Sequence, residues 1–134
     1  MMDYVKIYTA MAVSFLALDG VWLGLVAKDF YKKHIGNLMA ANPNLVAAGL
    51  FYSIYLFGLL MLVVLPAARA HSFMQVLWSG ALFGLVCYAT YDLTSQALIK
   101  DWPVTVTIVD LAWGTFVSTI IAVIGYWVAS VLFV

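Results

Sequence analysis

Apolar residues run almost unbroken through four stretches of this chain, separated by short polar clusters. The first extends from about Ile7 to Ala27 and ends at Lys28, Asp29, Lys32, Lys33 and His34. The second starts at Leu45 and ends at Pro66, the third covers Phe73 to about Ile99, and the fourth Val104 to about Phe133. Each has at least the roughly 20 residues that carry an α-helix across the hydrocarbon layer. After the first stretch, Phe30, Tyr31, Ile35, Leu38 and Met39 recur at helical spacing opposite the lysines. That is the pattern of a short amphipathic helix lying in the membrane interface, which Asn42-Pro43-Asn44 then breaks. Asn44 and Ser72 are candidate N-caps of the second and third spans, and Ala67 to His71 form a short turn between them. Lys100-Asp101-Trp102-Pro103 makes a tight connection into the fourth span, with the proline suited to a helix start. Connections this short place consecutive helices antiparallel. The expected fold is therefore an all-α membrane protein, a single domain over residues 1–134. Its four transmembrane helices form an up-down-up-down bundle, with a short interfacial helix after the first span.

Composition agrees: hydrophobic residues make up 66% of the chain and charged residues 9%, with a mean hydropathy of +1.07, where soluble domains carry about 25% charged residues. No soluble domain fits beside four spans. A formal charge of zero and the absence of a basic run exclude nucleic acid as a partner. The single cysteine, Cys87, lies mid-span, so neither an internal disulfide nor a redox pair can form, and it reads as a small packing residue. Lys6 ahead of an apolar run imitates a signal peptide, but Asp19 inside the run, the lack of an Ala-x-Ala site and the lysine-rich flank favour retention. Lys28, Lys32, Lys33 and Lys100 flank one side, Lys6 and Arg69 the other, so the first and third loops are expected in the cytoplasm of a bacterial inner membrane and both termini outside. The margin is small enough to leave an antiparallel homodimer open. Gly20 with Gly24, and Gly80 with Gly84, are Gly-xxx-Gly pairs that would let helices approach closely.

Three aspartates, Asp19, Asp92 and Asp110, interrupt the apolar stretches. Each costs roughly 2.5 to 3.5 kcal/mol at mid-membrane, which makes an intramembrane carboxylate a functional-site candidate. Counted from the loops at 1.5 Å per residue, all three fall about 10 to 13 Å below the same face, with Tyr52 and Tyr55 of the second span at that level. Asp19 with Trp22, and Asp110 with Trp113, stand at i, i+3, which puts carboxylate and indole on one helix face. Tyr88, Tyr91, Asp92, Ser95 and Gln96 make one stretch of the third span polar. Phenol and indole donors can hold ionised carboxylates. No lysine or arginine lies at that depth, so either some acids are protonated or a cation, metal or basic ligand enters. His34 is expected at headgroup level, and His71 on the opposite side. Trp78, Trp102, Tyr126 and Trp127 fit an interfacial belt.

The segments Leu18-Asp19-Gly20-Val21-Trp22-Leu23-Gly24, Tyr88-Ala89-Thr90-Tyr91-Asp92-Leu93-Thr94 and Asp110-Leu111-Ala112-Trp113-Gly114 resemble the hallmark stretches of a family of small bacterial membrane proteins, domain of unknown function 2177. The resemblance implies a four-span inner-membrane protein and supplies no activity. Two functions are compatible with the residues. In the first, an acidic, aromatic-lined pocket formed by Asp19, Trp22, Tyr52, Tyr55, Tyr88, Tyr91, Asp92, Ser95, Asp110 and Trp113 binds or transports a small cationic or amphiphilic ligand, with proton exchange. This layout is similar to that of small multidrug resistance transporters, although those use a glutamate and this chain has none. In the second, the aspartates serve an intramembrane enzyme acting on a lipid or isoprenoid, as acid and base or around a divalent cation. No established metal motif and no nucleophile with a histidine base supports it, and no cofactor is expected.

Overall fold

A computed structural model describes residues 1–133 as helices and short connections. The order is α1 (Met2–Val21), α2 (Lys28–Ile35), α3 (Leu45–Leu59), α4 (Leu65–Arg69), α5 (Phe73–Leu98) and α6 (Val104–Leu132). Four helical stretches are long and apolar enough to cross a membrane: Met2–Val26, Leu45–Arg69, Phe73–Leu98 and Val104–Leu132. The first therefore starts five residues earlier than its apolar run, because Met2 to Lys6 continue the same helix. The expected N-caps form. Asn44 Oδ1 accepts from the Ala47 N–H at 3.0 Å, and Ser72 Oγ from that of Gln75 at 3.1 Å.

The second span does not stop at Pro66, as its sequence suggests, but runs on to Arg69. Proline in a helix interior lacks an N–H and collides with the carbonyl one turn back. Here a wide π-type turn over Leu60–Val64 absorbs that conflict by shifting the hydrogen-bond register just ahead of the ring, so that Pro66 sits in the first turn of α4. A second wide turn, Trp22–Val26, closes α1 and hands the chain to α2 through Ala27.

α6 is the central element, packed most closely on α5 and next on α1. Glycines make the α5–α6 seam: a Cβ on Gly84 would strike the Gly114 carbonyl and Ser118, and one on Gly114 would enter the Tyr88 ring. On the other side Gly125 admits Met11 and Val64. Gly20 and Gly24, by contrast, have nothing within 4 Å of such a Cβ. The Gly80–Gly84 pair thus serves a helix contact, and the Gly20–Gly24 pair faces away from its own bundle.

The core is a continuous apolar cluster that includes Ile7, Met11 and Phe15 of α1, Leu59 and Val64 of the second span, Val76 of α5 and Ile121 of α6. Within it Tyr55 hydrogen-bonds Ser118, and both are buried. Tyr55→Phe removes the one side-chain partner that the fully buried Ser118 hydroxyl has among the described residues, at a cost of about 1 kcal/mol. Denaturant unfolding in detergent should register that loss; an unchanged midpoint would mean that Ser118 finds a backbone acceptor without penalty. Large apolar side chains such as Leu16, Ile54, Leu82, Ile108 and Val131 are exposed around the bundle. Exposed apolar surface on this scale is what a lipid-facing girdle requires.

Candidate functional site

The residues after Phe15 on α1 carry the first acid. Asp19 lies in the last turn before the wide turn, 7% exposed. Its Oδ2 accepts the Tyr52 O–H from α3 at 2.9 Å, and its Oδ1 the Trp113 indole N–H from α6 at 3.3 Å. Three helices therefore meet at one carboxylate, and the charge-assisted bonds offset part of its desolvation. On α6, one turn before Trp113, Asp110 accepts the phenol O–H of Tyr31 from α2. Tyr31 in turn accepts the Trp22 N–H at 3.1 Å. The two indoles lie face to face, their ring centroids 4.3 Å apart and their planes within 5°.

These contacts close a ring: Asp19 to Trp113 across the seam, Trp113 onto Trp22, Trp22 to Tyr31, and Tyr31 to Asp110, which stands on the same helix as Trp113. Each Asp-x-x-Trp pair shares a helix face, as its spacing requires, yet neither indole bonds its own aspartate. The N–H groups reach across instead, Trp113 to Asp19 and Trp22 to Tyr31. Burial, and after it the bond to Asp110, pushes the Tyr31 phenol above the ordinary tyrosine range, so it remains a proton donor throughout the physiological range.

Asp92 of α5 differs from the other two. It is fully buried, and neither carboxylate oxygen has a hydrogen-bond partner. Its neighbour is the carboxyl of Asp110, within hydrogen-bonding reach. Two carboxylates cannot bond each other, since both only accept; with one proton between them, an O–H donates to the facing oxygen and one of the two orphaned Asp92 oxygens is engaged. Among the described residues no group of three acids, histidines or cysteines is arranged to hold a metal ion. The three aspartates thus divide into the Asp92–Asp110 pair and Asp19, linked through the indole stack.

A cavity of about 670 Å³ opens beside this ring. Asp19, Asp110, Trp22, Trp113, Tyr88 and Tyr91 line it, all of them expected from the sequence. Four other expected residues do not. Tyr52 stands one step behind as the holder of Asp19, and Asp92 lies behind Asp110. Tyr55 is turned to Ser118, and Ser95 is buried a turn beyond Asp92. Tyr31 was placed by its spacing on the apolar face of the interfacial segment; that same face, turned inward, makes it a wall of the cavity with Ile35 and Met39. Lys28 also lines it, although no lysine was expected there, because a long side chain next to a wide turn can lie along the opening. Trp102, expected in the belt, is buried, donates to Thr107 Oγ1 at 3.1 Å and reaches the same cavity. His34 is engaged within α2, its Nδ1 2.8 Å from the Phe30 carbonyl.

The only ion pair among the described residues joins Lys6 to Asp3, so none of the three buried acids has a basic partner within 4.0 Å. The arrangement presents two carboxylates and two stacked indoles to a largely apolar space. It is suited to holding a cation that carries apolar groups.

A family model with the description Predicted membrane protein (DUF2177) matches residues 4–127. No curated protein and no solved structure matches the chain.

Proposed function

The chain belongs to the DUF2177 family of predicted membrane proteins, and from that premise we propose that it binds a small cationic or amphiphilic ligand in the cavity beside Asp19 and Asp110 and carries it in exchange for protons. The observation that supports this most is the opening of both carboxylates onto an indole-walled space with no basic side chain paired to them. A volume of about 670 Å³ falls within the range of small-molecule sites, about 300 to 1,000 Å³. The bundle runs up-down-up-down in a bacterial inner membrane, with α2 in the interface on the cytoplasmic side, where Lys28, Lys32, Lys33 and Lys100 gather, and both termini outside. Lipid covers the exposed girdle, and the open Gly20–Gly24 face is left to lipid or to a second copy.

Tetraphenylphosphonium is the probe of choice, being a delocalised cation wrapped in apolar rings, and tetraphenylborate is its anionic counterpart of nearly the same shape. Titrated into the protein in nanodiscs, the phosphonium is expected to quench tryptophan fluorescence saturably, with at least tenfold tighter binding than the borate. Equal affinity for both ions, or binding of neither, overturns the proposal.

A second reading is favoured by one observation, the adjoining Asp92 and Asp110 carboxyls, which could divide acid and base roles in an intramembrane enzyme acting on a lipid or isoprenoid. Mass spectrometry of the nanodisc lipids after incubation separates the two: a new lipid product without phosphonium binding supports the enzyme.

A further inference from the structure

Among the described residues Asp92 is the one buried acid without a hydrogen-bond donor, and the cavity does not reach it. We infer that Asp92 and Asp110 jointly hold the exchangeable proton of this site, which an arriving cation displaces, while Asp19 keeps a fixed charge that anchors the ligand. The inference rests on the proposed ligand-binding reading and assigns its proton exchange to named residues.

The division follows from partners. Asp19 receives donors from two helices, Tyr52 on α3 and Trp113 on α6, so its ionised form is satisfied in place. Asp110 receives one, from Tyr31, and Asp92 receives none. The titratable groups that face Asp92 are Asp110 from α6, Tyr31 from α2 and Tyr91 on its own helix, all acidic or neutral; Lys28 lines the cavity onto which Asp110 opens but forms no ion pair with either acid. A proton shared by the two carboxyls joins one oxygen of Asp92 to one of Asp110 and gives the buried acid a hydrogen bond without an added ion. Asp110 looks into the cavity and Asp92 stands behind it. A cation settling beside Asp110 supplies the positive charge that the proton had supplied. The carboxyl O–H bond then breaks, the proton leaves to water at the cavity mouth, and the two carboxylates together with the cation carry the same net charge that the singly protonated pair carried before. Proton transfer to water is the one bond change, and no redox partner is involved.

Two measurements test this. Without any ligand, a protonated carboxyl absorbs in the infrared as a C=O stretch separate from the carboxylate bands. Wild type is expected to show that band at neutral pH, and Asp92→Asn to lose it. Its absence from wild type overturns the inference, whatever the protein binds. With ligand, calorimetric titration of tetraphenylphosphonium in two buffers of different ionisation enthalpy counts released protons. Wild type is expected to release about one proton per cation bound and Asp92→Asn about none per cation bound, whatever its affinity. Equal release from the two proteins overturns the assignment but leaves cation binding in place. Binding of the phosphonium by neither removes the ligand-binding reading, and the infrared band then decides the shared proton by itself. If Asp92→Asn does not fold, Asp92→Glu should shift the band while keeping it, and an unshifted band overturns the inference.

Discussion

Gly114→Leu is expected to prevent the α5–α6 pair from closing, the largest stability effect in the chain. A Cβ at this position already falls inside the Tyr88 ring, and the backbone facing Gly84 is the Gly114 carbonyl itself, which has no rotamer to escape into. Overpacking of a well-packed core costs about 1 to 3 kcal/mol and more where backbone must move. Because α6 is the element against which α1 and α5 both pack, the loss should spread beyond the seam. Detergent-resistant fold and thermal midpoint report it. Gly20→Ala is the matched control: nothing lies within 4 Å of its Cβ, and alanine improves helix propensity by up to about 1 kcal/mol. Comparable midpoints for Gly114→Leu and wild type would show that the seam is not close-packed.

Asp19→Asn should abolish the affinity for tetraphenylphosphonium while sparing the fold. The asparagine keeps one oxygen to accept from Tyr52 or Trp113, so the three-helix junction persists with one weaker bond. The charge is gone, however, and removing one partner of a buried charge pair costs about 2 to 5 kcal/mol of binding, roughly 30-fold or more. Fluorescence titration and thermal midpoint, measured on the same sample, separate the two effects. A variant that binds the cation like wild type would make the Asp19 junction a structural tie.

The spans and caps were legible because they rest on local signals. Unbroken apolar length is what a bilayer selects, and Asn44 and Ser72 cap where their types and positions say they should. Depth counting along α1, α5 and α6 also brought Asp19, Asp92 and Asp110 to one region, since the rise per residue is fixed. Partner choice was not legible. The i, i+3 spacing places Trp22 and Trp113 beside their aspartates but does not say where an indole N–H points: that of Trp113 crosses from α6 to Asp19 on α1, and that of Trp22 turns to Tyr31 on α2. Tyr31 was hidden by its surroundings, because an aromatic residue on an amphipathic segment reads as lipid contact until the neighbouring helices show which way that face turns. Pro66 misled for a related reason: its local meaning is a stop, and only the wide turn over Leu60–Val64 lets the helix pass through it.

The closed ring through Asp19, Trp113, Trp22, Tyr31 and Asp110 has a mechanical consequence. The indoles face each other at 4.3 Å, so sliding α1 past α6 by one helical turn, about 5.4 Å, would separate the stack and break the Asp19 bond in the same stroke. Axial shear between these helices is thereby resisted. Relative movement of α1 and α6 that keeps both contacts is confined to tilting or swivelling about the indole pair, with α2 tied to that pivot through the bonds of Tyr31 to Trp22 and Asp110.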